Sequence, residues 1–171
     1  MDLRFNTILL TAFALVAFAA NSIICRMALG NTAIDPASFT TIRLATGAMV
    51  LWAIVRFSSG GKAGSHPGSW WSAAMLFMYA VAFSFAYVSL NAGVGALILF
   101  GSVQATMITA GLMKGERPPV LAWCGLIIAL TGLVYLVFPG LAAPSFSGAA
   151  LMALAGFAWG VYSLRGMGST H

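Results

Sequence analysis

Five polar side chains interrupt stretches of this sequence that are otherwise apolar, and they are the residues best suited to bind a ligand. They are Arg43, Gln104, Asn21, Ser22 and Tyr87. A guanidinium can hold an anion, and an amide offers donors and an acceptor without the cost of a charge. Because polar groups are expensive among apolar residues, they usually face a cavity or the interior of a helical bundle. We therefore treat all five as candidates for contact with a small polar molecule.

Each candidate also has a structural interpretation. Arg43 lies near a predicted helix end, so its side chain could extend to the lipid headgroups, or it could pair with Asp35 about two helical turns earlier. Gln104 could form a hydrogen bond between helices that stabilises the bundle by about 0.6–2 kcal/mol. For the other three candidates, packing inside the bundle is the alternative. The sequence leaves these choices open.

Six apolar stretches must position these side chains, and each is long enough to cross a bilayer. They are residues 7–29, 38–57, 70–91, 94–113, 120–138 and 146–164. A helix needs about 20 mostly apolar residues to span a hydrocarbon core about 30 Å thick. With 61% hydrophobic and only 6% charged residues, a soluble fold would lack the polar surface that water requires. The predicted fold class is all-α: a polytopic membrane helical bundle.

The positive charges indicate how the bundle is oriented. They lie at or just beyond the span ends on a single side of the predicted membrane: Arg4, Arg56, Lys62, Lys114, Arg117 and Arg165. The opposite connections, residues 30–37, 92–93 and 139–145, contain no Lys or Arg. The positive-inside rule then predicts a cytoplasmic N-terminus. The net charge of +5 is thereby explained by topology, and we expect no nucleic-acid partner.

A short internal similarity indicates that the sixth span begins a second copy of the first five. Residues 18–26 and 157–165 both start with Phe-Ala and end with Arg at the same offset. A unit of five spans is odd-numbered, so its second copy would cross the membrane upside down, as in the inverted repeats of secondary transporters. We divide the chain into a first five-helix repeat, residues 1–143, and the first helix of an incomplete second repeat, residues 144–171. We expect a truncated chain or a half that needs a partner, and we favour truncation.

Several motifs together resemble EamA-type transporters of the drug/metabolite transporter superfamily. Residues 35–43 resemble the start of the family's second helix, and residues 87–97 resemble its third-to-fourth helix turn. The turn formed by Gly115, Glu116, Arg117 and Pro118 resembles the family's cytoplasmic Gly-Glu-Arg turn. Residues 125–136 and 158–163 resemble its fifth helix and the opening of its second repeat. The fourth helix lacks the proline that is common in the family, and the first helix lacks its Trp-Gly pair.

The resemblance implies a carrier of the bacterial inner membrane that moves small polar metabolites, usually outward, by alternating access between two inverted repeats. It implies three partners: the lipid bilayer, a small-molecule substrate, and a second repeat in cis or a partner half in trans. The Gly115–Pro118 turn would act as a structural turn at the cytoplasmic side. The alternative is a non-transporting membrane scaffold or a half-transporter subunit that needs a partner.

The sequence indicates neither an enzyme nor a metal or cofactor site. Its three acids, Asp2, Asp35 and Glu116, lie outside the middle of the predicted spans, so we expect no acidic proton carrier there. It contains no Cys/His/Asp cluster and no glycine-rich phosphate loop. Five glycines inside spans are predicted to be close-packing sites between helices: Gly47, Gly101, Gly111, Gly125 and Gly132.

Overall fold

The structure, a computed structural model, describes residues 3–31, 34–58, 69–137 and 144–168. In those residues the chain forms six helices: α1 Leu3–Asn31, α2 Pro36–Ser58, α3 Trp70–Ser89, α4 Ala92–Met113, α5 Val120–Val137 and α6 Phe146–Gly168. No strand occurs in the described ranges. The predicted all-α fold class is confirmed.

Five of these helices are long and apolar enough to cross a membrane. Their apolar segments are Phe5–Gly30, Pro36–Phe57, Trp70–Ser89, Ala92–Met113 and Phe146–Gly166. Helix α5 has 18 residues, or about 27 Å at 1.5 Å per residue, and its apolar segment Val120–Gly132 is shorter. The protein is therefore a helical membrane protein, and the fifth predicted span forms a helix over Val120–Val137.

Two helices begin where a side chain satisfies their free backbone N–H groups. Oδ1 of Asp35 accepts hydrogen bonds from the N–H groups of Ala37 and Ser38, at 3.0 and 2.9 Å. Pro36 occupies the first helical position, where a missing N–H costs nothing. The side chain of Asn91 accepts from the N–H of Val94 at 2.9 Å and starts α4 in the same way.

Helix α4 ends in a left-handed glycine. Gly115 has φ +83°, and its N–H donates to the Leu112 carbonyl while the N–H of Glu116 donates to the Gly111 carbonyl, both at 3.0 Å. This pair of bonds is a Schellman motif, which satisfies carbonyls that the helix end would leave unpaired. Pro118 and Pro119 follow and prevent the helix from continuing. The Gly-Glu-Arg-Pro sequence therefore ends helix α4.

Helix α6 lies between α3 and α4, and it packs more extensively on both than they pack on each other. Its antiparallel pairing with α3 is held at both ends by hydrogen bonds. At one end the hydroxyl of Ser145 bonds that of Ser89 at 2.8 Å. At the other end the Arg165 guanidinium donates to the hydroxyls of Ser69 and Ser72, at 3.2 and 3.3 Å.

Two glycines four residues apart allow α6 to approach α4 closely. A Cβ atom on Gly156 would lie 2.6 Å from the carbonyl oxygen of Leu99, and one on Gly160 would lie 2.8 Å from Cβ of Thr106. Lipid tails are as apolar as the helices, so helices in a membrane associate largely through such close contact. This Gly-x-x-x-Gly pair therefore sets the distance between α4 and α6.

The predicted set of close-packing glycines is largely wrong. A Cβ on any of four of them would meet nothing within 4 Å in the described residues: Gly47, Gly101, Gly125 and Gly132. At Gly111 a Cβ would lie 2.9 Å from a carboxylate oxygen of Glu116, a contact within its own turn. The glycines that do face another helix closely include Gly156 and Gly160, because their spacing places both on one side of α6.

We expect Gly156→Ala to destabilise the protein by about 1–3 kcal/mol, because the new methyl group must displace the α4 backbone. Gly101→Ala on α4 is the matched control, since it adds the same methyl group in open space. Its effect should stay within about 1 kcal/mol, with the helix propensity of alanine in its favour. Unfolding curves of the detergent-purified variants measure the difference, and equal losses for both would contradict the proposed packing.

The N-cap of α2 should make stability depend on acid pH. Hydrogen bonds from Ser38, first from its side chain and then from its backbone, lower the pKa of the Asp35 carboxyl below its ordinary value of 3.8. A carboxylate with a lowered pKa contributes stability above its unfolded pKa and loses it as the pH falls through the folded value. The melting temperature should therefore decrease below about pH 3.8.

Asp35→Asn provides the control, because asparagine caps a helix but does not titrate in this range. The variant should show a smaller decrease of melting temperature on acidification than the original protein. Identical acid profiles for the two proteins would show that Asp35 does not contribute.

Candidate functional site

Aromatic side chains from three helices meet in the middle of the bundle. Trp159 of α6 lies 4.9 Å from Tyr79 of α3 and 5.9 Å from Phe18 of α1, measured between ring centroids. Tyr79 in turn lies 5.3 Å from Phe83, one turn further along α3. These tilted and edge-on contacts have the geometry that aromatic pairs prefer. They form a stiff aromatic wall against which a ligand could bind.

Arg43 of α2 reaches into this wall. Its Nη2 donates to the Ala80 carbonyl at 3.1 Å, and its Cζ lies 5.2 Å from the centroid of Phe83 and 5.9 Å from those of Phe39 and Tyr79. Cation–π attraction to three rings compensates part of the cost of burying the charge. Nη1 is buried and has no hydrogen-bond partner among the described residues. One donor group of the guanidinium is therefore unused.

The structure supports neither of the two structural interpretations of Arg43, which were pairing with Asp35 and extension to the lipid headgroups. Asp35 uses its carboxylate to cap α2, and the lowering of its pKa is caused by Ser38 and the local backbone. The guanidinium lies among rings of α2 and α3 and bonds a carbonyl of α3. In this arrangement Arg43 neither pairs with Asp35 nor extends toward the helix end.

Two grooves meet at Arg43 and Asn21, which line both of them. The first has a volume of about 490 Å³ and includes Phe13 and Ala17 of α1, together with Tyr79 and Trp159. The second has a volume of about 690 Å³ and includes residues further along α1 and nearer the start of α2: Ile24, Ala28, Ile34, Phe39 and Ile42. The grooves therefore extend from the shared pair toward opposite ends of the bundle.

The shared pair lies near the middle of the bundle. Counted at 1.5 Å per residue, Asn21 and Tyr79 are each about 15 Å from the helix ends at the Ser89 side, and Arg43 is about 10 Å from that side. A polar group from each of three helices is thus placed at a similar depth.

Ser22 and Tyr87 are placed in the core. Tyr87 is fully buried and Ser22 is 8% exposed, and the Tyr87 hydroxyl donates to the Ala92 carbonyl at 3.4 Å. The Tyr87 ring packs so closely on Gly95 that a Cβ there would lie 2.5 Å from it. Nη1 of Arg26 donates to the carbonyls of Tyr87 and Val88, at 2.8 and 3.0 Å, and so caps the end of α3. These residues build the α3–α4 corner.

Gln104 lies apart from the other candidates. It is exposed and faces a groove of about 380 Å³ formed with Pro118, Trp123 and other residues at the start of α5. The residues of α4 that contact α6, among them Ser102 and Thr106, lie on a different face of the helix. The structure therefore brings together Arg43 and Asn21, places Ser22 and Tyr87 in the core, and leaves Gln104 in a separate place.

Tyr79, Phe83 and Trp159 are not among the site residues predicted from the sequence. The sequence does relate two of these three residues, because Tyr79 precedes Phe83 by four residues. Phe39 precedes Arg43 at the same spacing. Residues at this spacing share a helix face. No local sequence pattern connects α6 to α3, so the place of Trp159 in the site becomes visible only in the helix packing.

The burial of Tyr87 leads to a stability prediction. Tyr87→Ala should cost about 3–5 kcal/mol, as expected for removing a buried aromatic ring. Tyr87→Phe keeps the ring and should cost no more than about 1.5 kcal/mol, because it loses only the hydroxyl's hydrogen bonding. Denaturant unfolding of both variants checks this, and similar losses for the two would contradict a role in packing.

Comparison with known proteins finds a relative of unknown function. The chain is 52% identical over 163 residues to an uncharacterized protein of Pseudomonas aeruginosa. The match covers 95% of this chain and 56% of the relative, so the chain spans a little more than half the length of the curated relative it matches. No family model matches the chain, and no solved structure matches it.

Proposed function

We propose that the protein is a carrier that exports a small polar metabolite across the bacterial inner membrane, with its N-terminus in the cytoplasm. The observation that carries the proposal is the pair Arg43 and Asn21, which lines two grooves that extend toward opposite ends of a membrane-spanning bundle. A carrier needs a binding site near the middle of the membrane that can be reached from either side in turn. The shared pair is suited to be that site.

The aromatic wall adds an apolar binding surface beside the polar pair Arg43 and Asn21. Trp159 and Tyr79 offer flat, apolar surfaces beside the Asn21 amide and the Arg43 guanidinium. Ligand sites commonly combine a mainly apolar lining with a few polar groups that orient the ligand. The site would thus recognise a molecule with both a polar end and an apolar body, without catalysis or a cofactor.

Alternating access would require a second set of helices. We propose that α1–α5 form one repeat, that α6 begins an inverted second one, and that the second repeat is supplied in cis or by a partner half in trans. The Pseudomonas relative extends beyond the matched region by nearly as much again, which supports a longer carrier. On its sequence motifs alone, we also propose that the protein is an EamA-type transporter.

Export is tested in cells that overproduce the protein, by mass spectrometry of metabolites in the medium and the cytoplasm. We expect at least one small metabolite to leave the producing cells faster than control cells. Trp159→Leu should slow its export about tenfold, which corresponds to a loss of about 1.4 kcal/mol of binding, because it removes an aromatic surface that lines the first groove.

Trp52→Leu is the matched control, because Trp52 is 68% exposed on α2 and does not line either groove. It should leave export unchanged at equal protein levels in the membrane. If no metabolite responds to the protein, the alternative of a non-transporting scaffold or half-transporter subunit is favoured. If both tryptophan variants slow export equally, the assigned site is wrong.

A further inference from the structure

The unused donor group of Arg43 is the feature of this site that the proposed function does not explain. A guanidinium carries five N–H donors, and here Nη2 donates to the Ala80 carbonyl while the buried Nη1 has no partner among the described residues. The three rings around Cζ attract the charge, but they do not accept directed hydrogen bonds as an oxygen does. The site therefore holds a positive charge that is only partly compensated.

The acids that the structure describes are occupied elsewhere. Asp35 caps the start of α2, and the carboxylate of Glu116 lies beside Gly111 at the turn that ends α4. Within the described part of the chain, neither of them neutralises Arg43. A buried guanidinium is normally matched by a carboxylate that forms charge-assisted hydrogen bonds with it.

The lining of the first groove indicates what the rest of the ligand is like. Apart from Asn21, Arg43 and the Tyr79 hydroxyl, its lining side chains are aliphatic or aromatic. A volume of about 490 Å³ falls within the range of small-molecule sites. One guanidinium with one unpartnered amino group, Nη1, matches a single carboxylate, whereas a doubly charged phosphate would call for further donors.

We infer that the ligand of these grooves is a monocarboxylate with an apolar or aromatic body. Its carboxylate accepts from Nη1 of Arg43, and its body lies against Trp159 and Tyr79. This inference rests on the site of the proposed function and names its substrate class. The carboxylate could belong to a soluble aromatic acid or to a free fatty acid, and the two sources share this chemistry.

Matched probes that differ in charge test the inference on the purified protein in detergent. The thermal unfolding midpoint is measured against increasing concentrations of sodium benzoate, benzamide and benzylamine hydrochloride at constant ionic strength. Benzoate should stabilise the protein with an apparent Kd at least about tenfold lower than benzamide, and benzylamine should not stabilise it. Sodium octanoate represents a free fatty acid. Whichever of benzoate and octanoate binds more tightly shows whether the ligand is an aromatic acid or a fatty acid.

Two substitutions on α2 assign the effect to Arg43. Arg43→Gln should abolish stabilisation by benzoate, whereas Arg43→Lys should retain it in weakened form, because lysine keeps the charge and loses the planar donor edge. Arg56→Gln is the matched control, since Arg56 is exposed in the last turn of the same helix, and it should bind benzoate like the original protein. If Arg43→Gln does not fold, the probe series on the original protein decides.

Three results would overturn the inference: equal binding of the three benzene derivatives, a preference for benzylamine, or no binding of benzoate and octanoate at concentrations of about 10 mM, above the usual range of substrate affinities. Each of these would leave the proposed carrier intact if a neutral or cationic metabolite is exported. Conversely, selective binding of carboxylates with no exported metabolite would support the ligand class and refute the carrier.

Discussion

The close approach of α6 to α4 is the contact on which the rest of the arrangement depends. In a bilayer, helices gain little from leaving lipid for each other, so contact at the level of the backbone must supply much of the attraction. Gly156 and Gly160 provide that contact by removing the side chains that would hold α4 away. With α6 seated between α3 and α4, Trp159 reaches Tyr79 and Phe18. The glycine pair therefore helps to position Trp159 within the aromatic wall.

A second constraint operates at the helix ends, where the bilayer offers few partners for free backbone groups. At the corners that the structure describes, the protein meets it with three kinds of cap. Asp35 and Asn91 cap the starts of α2 and α4, a glycine turns back the end of α4, and Arg26 covers the last carbonyls of α3. These caps let short connections join long helices without leaving polar backbone unsatisfied.

The helices could be predicted from the sequence to within a few residues because hydropathy and capping are local properties. Predicted span 94–113, for example, corresponds to α4 at Ala92–Met113. The site could be predicted only in part. In helices that are apolar on every side, composition does not reveal which face meets a neighbour, so Gln104 and Tyr87 could not be separated from Asn21 and Arg43. The pairing of Trp159 with Tyr79 depends on α6 passing between two other helices, and no short sequence pattern predicts that arrangement.

Arg43 lies about 10 Å along its helix from one end, deep enough to experience the electrical potential across a membrane. Carrying one charge through the full potential costs about 2.3 kcal/mol per 100 mV. A rearrangement that moves this guanidinium relative to the bilayer would therefore be driven by voltage when the site is empty. A bound anion would cancel the charge and remove most of that force. If the proposed anion binds there, Arg43 would make the bundle respond differently to voltage in its empty and occupied states.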